Sequence, residues 1–220
     1  MMAHIDDELD QLKVDTLGMW TLVQLQLRKG LEALTKLDKD LAREIILSER
    51  RVNAYEIKLD TDCENIFALF SPVAVDLRFV LAVLKINTNL ERIGDIAEGI
   101  ARFVVETDDS FDTKLLEITE LLLMYEEAID MLETSKKAFE MEDTKMARSI
   151  FKKDEYLDKI NFNANEIIAN YIRQNLDHTE QALYALSIIR KLERVGDQSK
   201  NIAEEIIFYV EAKVLKHKTE

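Results

Sequence analysis

The hexapeptide Leu-Glu-Arg-Ile-Gly-Asp at 90–95 returns as Leu-Glu-Arg-Val-Gly-Asp at 192–197, an offset of 102 positions. Upstream, LAREIILSERRVN (41–53) aligns with MARSIFKKDEYLD (146–158) at an offset of 105. Two blocks recurring in the same order at nearly the same spacing are a duplication, so the fold must be built from two copies of one unit. The three-residue difference has to be absorbed between the blocks. The turn near Ser71-Pro72 is the simplest place, because loops tolerate length changes that packed helices do not.

The nature of the unit follows from what is scarce. The 220 residues include one Pro and five Gly, too few for the turns of a sandwich or an α/β fold. Apolar residues recur at helical steps: Ile5, Leu9, Leu12, Met19, Val23 and Leu27, and again Ile118, Leu122, Tyr125, Ile129 and Leu132. Breaks are few. They fall at TKLDKD, FSP (70–72), ETDDSFD (106–112), MEDT near Asp143, and QNLDHTE. Ser71 is placed to cap a helix with Pro72 at its first position, and Asp177 and Glu180 have capping-box spacing. The expected fold is all-α, a tandem repeat of two three-helix bundles with six long helices, the units being 1–108 and 109–220. Trp20 and Met19 are expected in the core.

Charge and cysteine content narrow the partners. The net charge of −14 and the absence of a Lys/Arg block argue against nucleic acid and anionic membrane surfaces. An acidic chain is compatible with metal cations or basic protein surfaces. Cys63 alone builds neither a disulfide framework nor a cysteine zinc site. MMAHIDDELD does not read as a signal peptide, and no apolar run reaches about 18 residues, so a cytoplasmic protein that meets membranes only through protein partners is expected.

The duplicated motif carries acids four apart, hence on one helix face: Glu91 with Asp95, and Glu193 with Asp197. The preceding helix of each half carries a counterpart, Glu49 with Asn53 and Asp154 with Asp158. Helices joined by a short turn run antiparallel. Position 72 lies midway between Glu49 and Asp95 and between Asn53 and Glu91. The second half has the same mirror relation about 175–176. Each hairpin therefore brings two acidic pairs to one height. Gathered carboxylates need an offsetting partner. Two answers stand open here: a metal ion held between the helices, or a salt-bridge network through Arg92 and Arg194. Gly94 and Gly196, mid-helix, indicate close approach of another element.

Other features are weaker. Asp76 and Arg78, in DLRF, are candidates for a partner contact or an ion pair, against a solvated helix face. His4, His178 and His217 are scattered. No Glu-x-x-His, nucleophile elbow or phosphate loop is present, so no catalytic residue is expected.

Taken together, LERIGD, LERVGD, PVAVDLRFV (72–80) and the two three-helix units resemble the PhoU family. The resemblance covers nearly the whole chain. It implies a cytoplasmic, non-enzymatic homodimer that negatively regulates the phosphate-starvation response and serves phosphate ABC transport. The implied partners are the transporter ATPase subunit and a sensor histidine kinase. It also implies metal ions (iron, zinc, manganese or magnesium) at Glu49/Asn53, Glu91/Asp95, Asp154/Asp158 and Glu193/Asp197. Asn53 supplies a carbonyl oxygen without charge, so the second repeat is expected to bind metal more tightly. The alternatives are an accessory of a non-ABC phosphate carrier, a di-metal carboxylate enzyme, and a purely structural bundle.

Overall fold

The computed structural model describes residues 5–215; His4 and His217 lie outside them. The order is α1 (Ile5–Lys36), α2 (Lys39–Phe70), α3 (Ala74–Glu106), α4 (Thr113–Ile118), α5 (Leu121–Met141), α6 (Thr144–Gln174), a 3-10 turn (Leu176–His178) and α7 (Thr179–Glu211). No strand occurs among the described residues. The duplication extends to the caps. Asp38 accepts from the backbone N–H groups of Asp40 and Leu41 at the start of α2, and Asp143 accepts from Lys145 and Met146 at the start of α6. Each such cap is worth about 1 kcal/mol.

Three local expectations are corrected. The first helix of the second half is not continuous. Thr119 turns its hydroxyl back onto the Leu115 carbonyl at 2.7 Å and Glu120 takes a left-handed backbone (φ 53°), so α4 and α5 are separate. Ile118 is consequently exposed, while Tyr125 and Leu132 carry the apolar stripe inward. Ser71 does not cap α3; it closes α2 in a left-handed conformation (φ 49°), and Pro72 lies ahead of α3. At α7 the expected capping box is absent: Asp177 lies in the 3-10 turn, and Glu180 accepts from the Tyr184 hydroxyl at 3.2 Å instead.

The three-residue difference is taken up by a helix rather than by the loop. The loops span 71–73 and 175–178, but α7 begins opposite position 77 while α3 begins at Ala74. The extra residues form one more turn at the start of α3.

Helices α1, α2 and α3 pack together, as do α5, α6 and α7, and the two units share one apolar core through α3 against α7 and α1 against α5. The contact between the units has two-fold character. Trp20 and Tyr125 occupy equivalent positions, and each wedges against the other's helix. Trp20 Nε1 donates to the Leu132 carbonyl at 3.2 Å, and the Tyr125 hydroxyl fills the space that a Cβ at Gly30 would need. Likewise Lys191 lies over Gly99 while Asn201 reaches Asn89, and these are equivalent pairs exchanged across the α3–α7 contact. Trp20 and Met19 are fully buried. The stripes of α1 and α5 are thus covered within one chain. Among the described residues, no helix is long and apolar enough to cross a membrane.

Candidate metal centres

The glycine of each motif makes room for the acid of the neighbouring helix. A Cβ at Gly94 would lie 3.1 Å from Val52 Cγ1 and 3.2 Å from Glu49 Oε2. At Gly196 it would lie 2.8 Å from Leu157 Cδ2 and 3.3 Å from Asp154 Oδ1. Glycine is tolerated mid-helix here because the opposite helix presses a carboxylate and an aliphatic side chain onto it. Glu49 (6% exposed) and Asp154 (2%) are the buried acids of their hairpins. Each keeps one oxygen without a hydrogen bond, Glu49 Oε1 and Asp154 Oδ1.

The hairpins do bring the sequence-paired acids within electrostatic reach. Burial, with the charges of Asp95, Glu98 and Glu91, pushes Glu49 up to about 7, against the opposing effect of a hydrogen bond from Gln26. Burial pushes Glu91 up to about 7 as well, assisted by Asp95 and Glu56. In the second hairpin burial raises Asp154, Glu193 and Asp197. Asp158 adds its charge to all three, and Asp154 and Asp197 add theirs to Glu193. Glu91, Glu193 and Asp197 are half-buried, and Asn53, Asp95 and Asp158 are exposed.

The motif arginines act on the acids only at a distance: the charge of Arg92 opposes the rise of Glu91, and that of Arg194 opposes the rise of Glu193 and Asp197. Arg92 and Arg194 are exposed, and among the described residues neither makes an ion pair with these acids. The groups that do reach the buried acids lie outside the four-spaced acidic pattern. Gln26 of α1 donates through Nε2 to Glu49 Oε2 at 3.0 Å and to Ser48 Oγ at 2.9 Å, leaving its own Oε1 unbonded. Lys200, one turn past the second motif, donates to Asp154 Oδ2 at 2.5 Å. Glu98 is the repeat equivalent of Lys200, and Met131 of Gln26. The signal was present in the same offsets of 102 and 105 that revealed the duplication.

The donor set suits a hard or borderline cation. Buried carboxylate oxygens without a hydrogen bond are costly unless something occupies their lone pairs, and Glu49 Oε1 and Asp154 Oδ1 are such atoms in equivalent places. Among the described residues, no three His, Cys, Asp or Glu side chains already stand at metal-ligand spacing. Closing a shell around a cation would therefore require these side chains to rearrange.

Asp76 and Arg78 separate. Arg78 donates through Nε to the Tyr209 carbonyl at 3.3 Å and ties α3 to the end of α7. Asp76 lines a cleft of about 250 Å³ with Lys13, Phe79 and Glu142. Cys63 is buried, its thiol pushed up to about 12 by burial, so it is an inert core residue.

The PhoU domain model matches the chain twice, over residues 16–104 and 121–206. The chain belongs to the PhoU family. Between the two PhoU matches lie the inter-repeat loop and α4, and the second match begins at the first residue of α5. The phosphate-specific transport system accessory protein PhoU of Edwardsiella tarda is 32% identical over 215 residues, covering 98% of this chain and 88% of that protein. The crystal structure of PhoU from Pseudomonas aeruginosa superposes with a TM-score of 0.91 at 27% identity, covering 96% of this chain and all of that one. The phosphate transport system regulatory protein PhoU from Streptococcus pneumoniae gives 0.84 at 28% identity, covering 97% and 100%.

Proposed function

We propose that this PhoU-family chain is a negative regulator of the phosphate-starvation response and an accessory protein of phosphate ABC transport. In this reading it works as a homodimeric adaptor between the transporter ATPase subunit and a sensor histidine kinase, with metal ions at the two hairpins. The observation that supports the regulatory part is end-to-end correspondence: both repeats match, a relative named as a phosphate-specific transport system accessory protein aligns over 98% of this chain, and a structure named as a phosphate transport system regulatory protein covers 97% of it. Support for the metal part is chemical, namely acids facing across each hairpin and a buried carboxylate oxygen without a partner in each. Glu49, Asn53, Glu91 and Asp95 would form one metal site, and Asp154, Asp158, Glu193 and Asp197 another. A bound cation would neutralise the gathered charge and clamp the two helices of a hairpin together. Asp76, in its cleft beside Lys13 and Phe79, is the candidate partner contact, whereas Arg78 positions α7.

Deleting the gene tests the regulatory reading. Expression of phosphate-starvation genes is expected to rise in phosphate-rich medium and to fall again on complementation. Expression that stays low in the deletion strain would contradict it.

A further inference from the structure

The two acid clusters differ in what stands beside the buried carboxylate. In the second repeat Lys200 Nζ contacts Asp154 Oδ2 at 2.5 Å and lies within electrostatic reach of Asp158 and Asp197. In the first repeat the equivalent residue is Glu98, which turns along α3 to pair with Arg102 at 2.6 Å. No amine reaches Glu49 among the described residues. The groups around it are Gln26 from α1 and Glu91, Asp95 and Glu98 from α3, and Glu56 from α2 adds its charge to Glu91. The equivalent of Glu56 in the second repeat is Asn161. The first cluster therefore has carboxylates at 56 and 98 where the second has an amide and an ammonium.

We propose that Lys200 is a resident cation of the second repeat, so that the first repeat takes a metal ion first and the second takes one only as the lysine withdraws. This rests on the metal reading of the hairpins given above. An ammonium on a four-carbon stem is a compact, mobile point charge. Lys200 is 38% exposed and so has a path into solvent, whereas Asp154 beneath it is 2% exposed. A divalent ion entering the second repeat must displace that ammonium from Asp154. An ion entering the first repeat meets a neutral amide and two further acids. Those acids compensate for the charge missing at Asn53, and the ranking expected from Asn53 alone is reversed.

The test is calorimetric titration of the untagged, chelator-treated chain with Mn²⁺, with free manganese followed in parallel by electron paramagnetic resonance. Wild type is expected to show two unequal classes of site, the tighter lost in Glu49→Gln and the weaker in Asp154→Asn. Lys200→Met is expected to tighten the weaker class roughly tenfold or more, the scale of one nearby charge discounted for solvent screening, and to leave the tighter class unchanged. Glu98→Lys is the reciprocal variant and does not depend on Lys200→Met folding. It is expected to weaken the tighter class by a similar factor and leave the weaker one alone. Two equal classes, or a weaker class unmoved in Lys200→Met together with a tighter class unmoved in Glu98→Lys, overturn the lysine proposal while leaving metal binding intact. Absence of manganese binding in wild type and in both variants overturns the metal reading and this proposal with it.

Discussion

The first hairpin holds its buried acid against an amide, and the second holds its buried acid against an amine. Glu49 accepts from Gln26, with Glu98 one turn beyond the motif; Asp154 accepts from Lys200, with Met131 where Gln26 would stand. What is common to both is the frame: a glycine on one helix, a carboxylate and an aliphatic side chain pressed onto it from the other, and one carboxylate oxygen left without a hydrogen bond. The comparison teaches that the duplicated unit preserves the placement of the acid while exchanging its counter-group. The same contrast appears where the repeats meet. Trp20 has its N–H satisfied, whereas the Tyr125 hydroxyl at the equivalent position is buried without a partner.

The largest expected effect breaks the equivalence of Trp20 and Tyr125. Trp20→Ala should lower stability by about 3–5 kcal/mol, the usual scale for a fully buried large aromatic. Tyr125→Phe should be neutral or stabilising by up to about 1 kcal/mol, since it removes an unsatisfied buried hydroxyl. Urea unfolding of the two variants checks both, and a comparable loss in both would refute the difference in satisfaction.

Next comes the counter-group. In the metal-free protein near pH 8, Lys200→Met should cost about 2 kcal/mol, the scale of a hydrogen bond to a charged group. Adding Asp154→Asn should recover much of that, because no charge is then left buried. A double variant as unstable as the sum of both single losses would show that Lys200 acts by packing instead.

The pH response should sharpen the contrast within the first hairpin. Glu49 and Glu91 are raised from 4.5 to about 7 in the folded chain. Between those values the folded state binds more protons than the unfolded one, so stability of the metal-free chain falls as pH rises and levels off above about pH 7. Glu49→Gln should flatten this decline and give its greatest relative gain above pH 7. Thermal midpoints from pH 5 to 8 measure it, and parallel curves for variant and wild type would go against the assignment.

The smallest effects are at the glycines. Gly94→Ala gains helix propensity of about 1 kcal/mol but crowds Val52 and Glu49 at 3.1 and 3.2 Å, so a net loss of about 1 kcal/mol or less is expected. Gly196→Ala should lose slightly more, because its Cβ would come within 2.8 Å of Leu157. Paired thermal melts decide the order.

Much of this was readable from residues. The duplication, the helix class, the breaks at TKLDKD and near Asp143 and the meeting of acids across each hairpin follow from periodicity, breakers and mirror counting, which are local properties. The break at Thr119–Glu120 was not legible, because neither Gly nor Pro marks it and a threonine back-bond competes with helix only weakly. Nor was the extra turn at the start of α3, since packing of the hairpin decides where a helix begins. Gln26 and Lys200 escaped for another reason. Attention to four-spaced acids selects side chains on the same two helices, whereas Gln26 arrives from a third helix and Lys200 is a base among acids. The arginines inside the motif looked like the natural partners by adjacency, yet they lie on the exposed side of the helix.

The most direct test of the central claim, that the duplicated acid pairs hold cations, is elemental analysis of the untagged chain purified without chelator. Wild type is to be compared with folded Glu49→Ala/Asp95→Ala and Asp154→Ala/Asp197→Ala variants. Metal in wild type that falls in each double variant, with the larger loss in the first, is the result expected. Wild type free of metal, with variants that differ from it only in stability, would contradict the claim and make the acids a structural network.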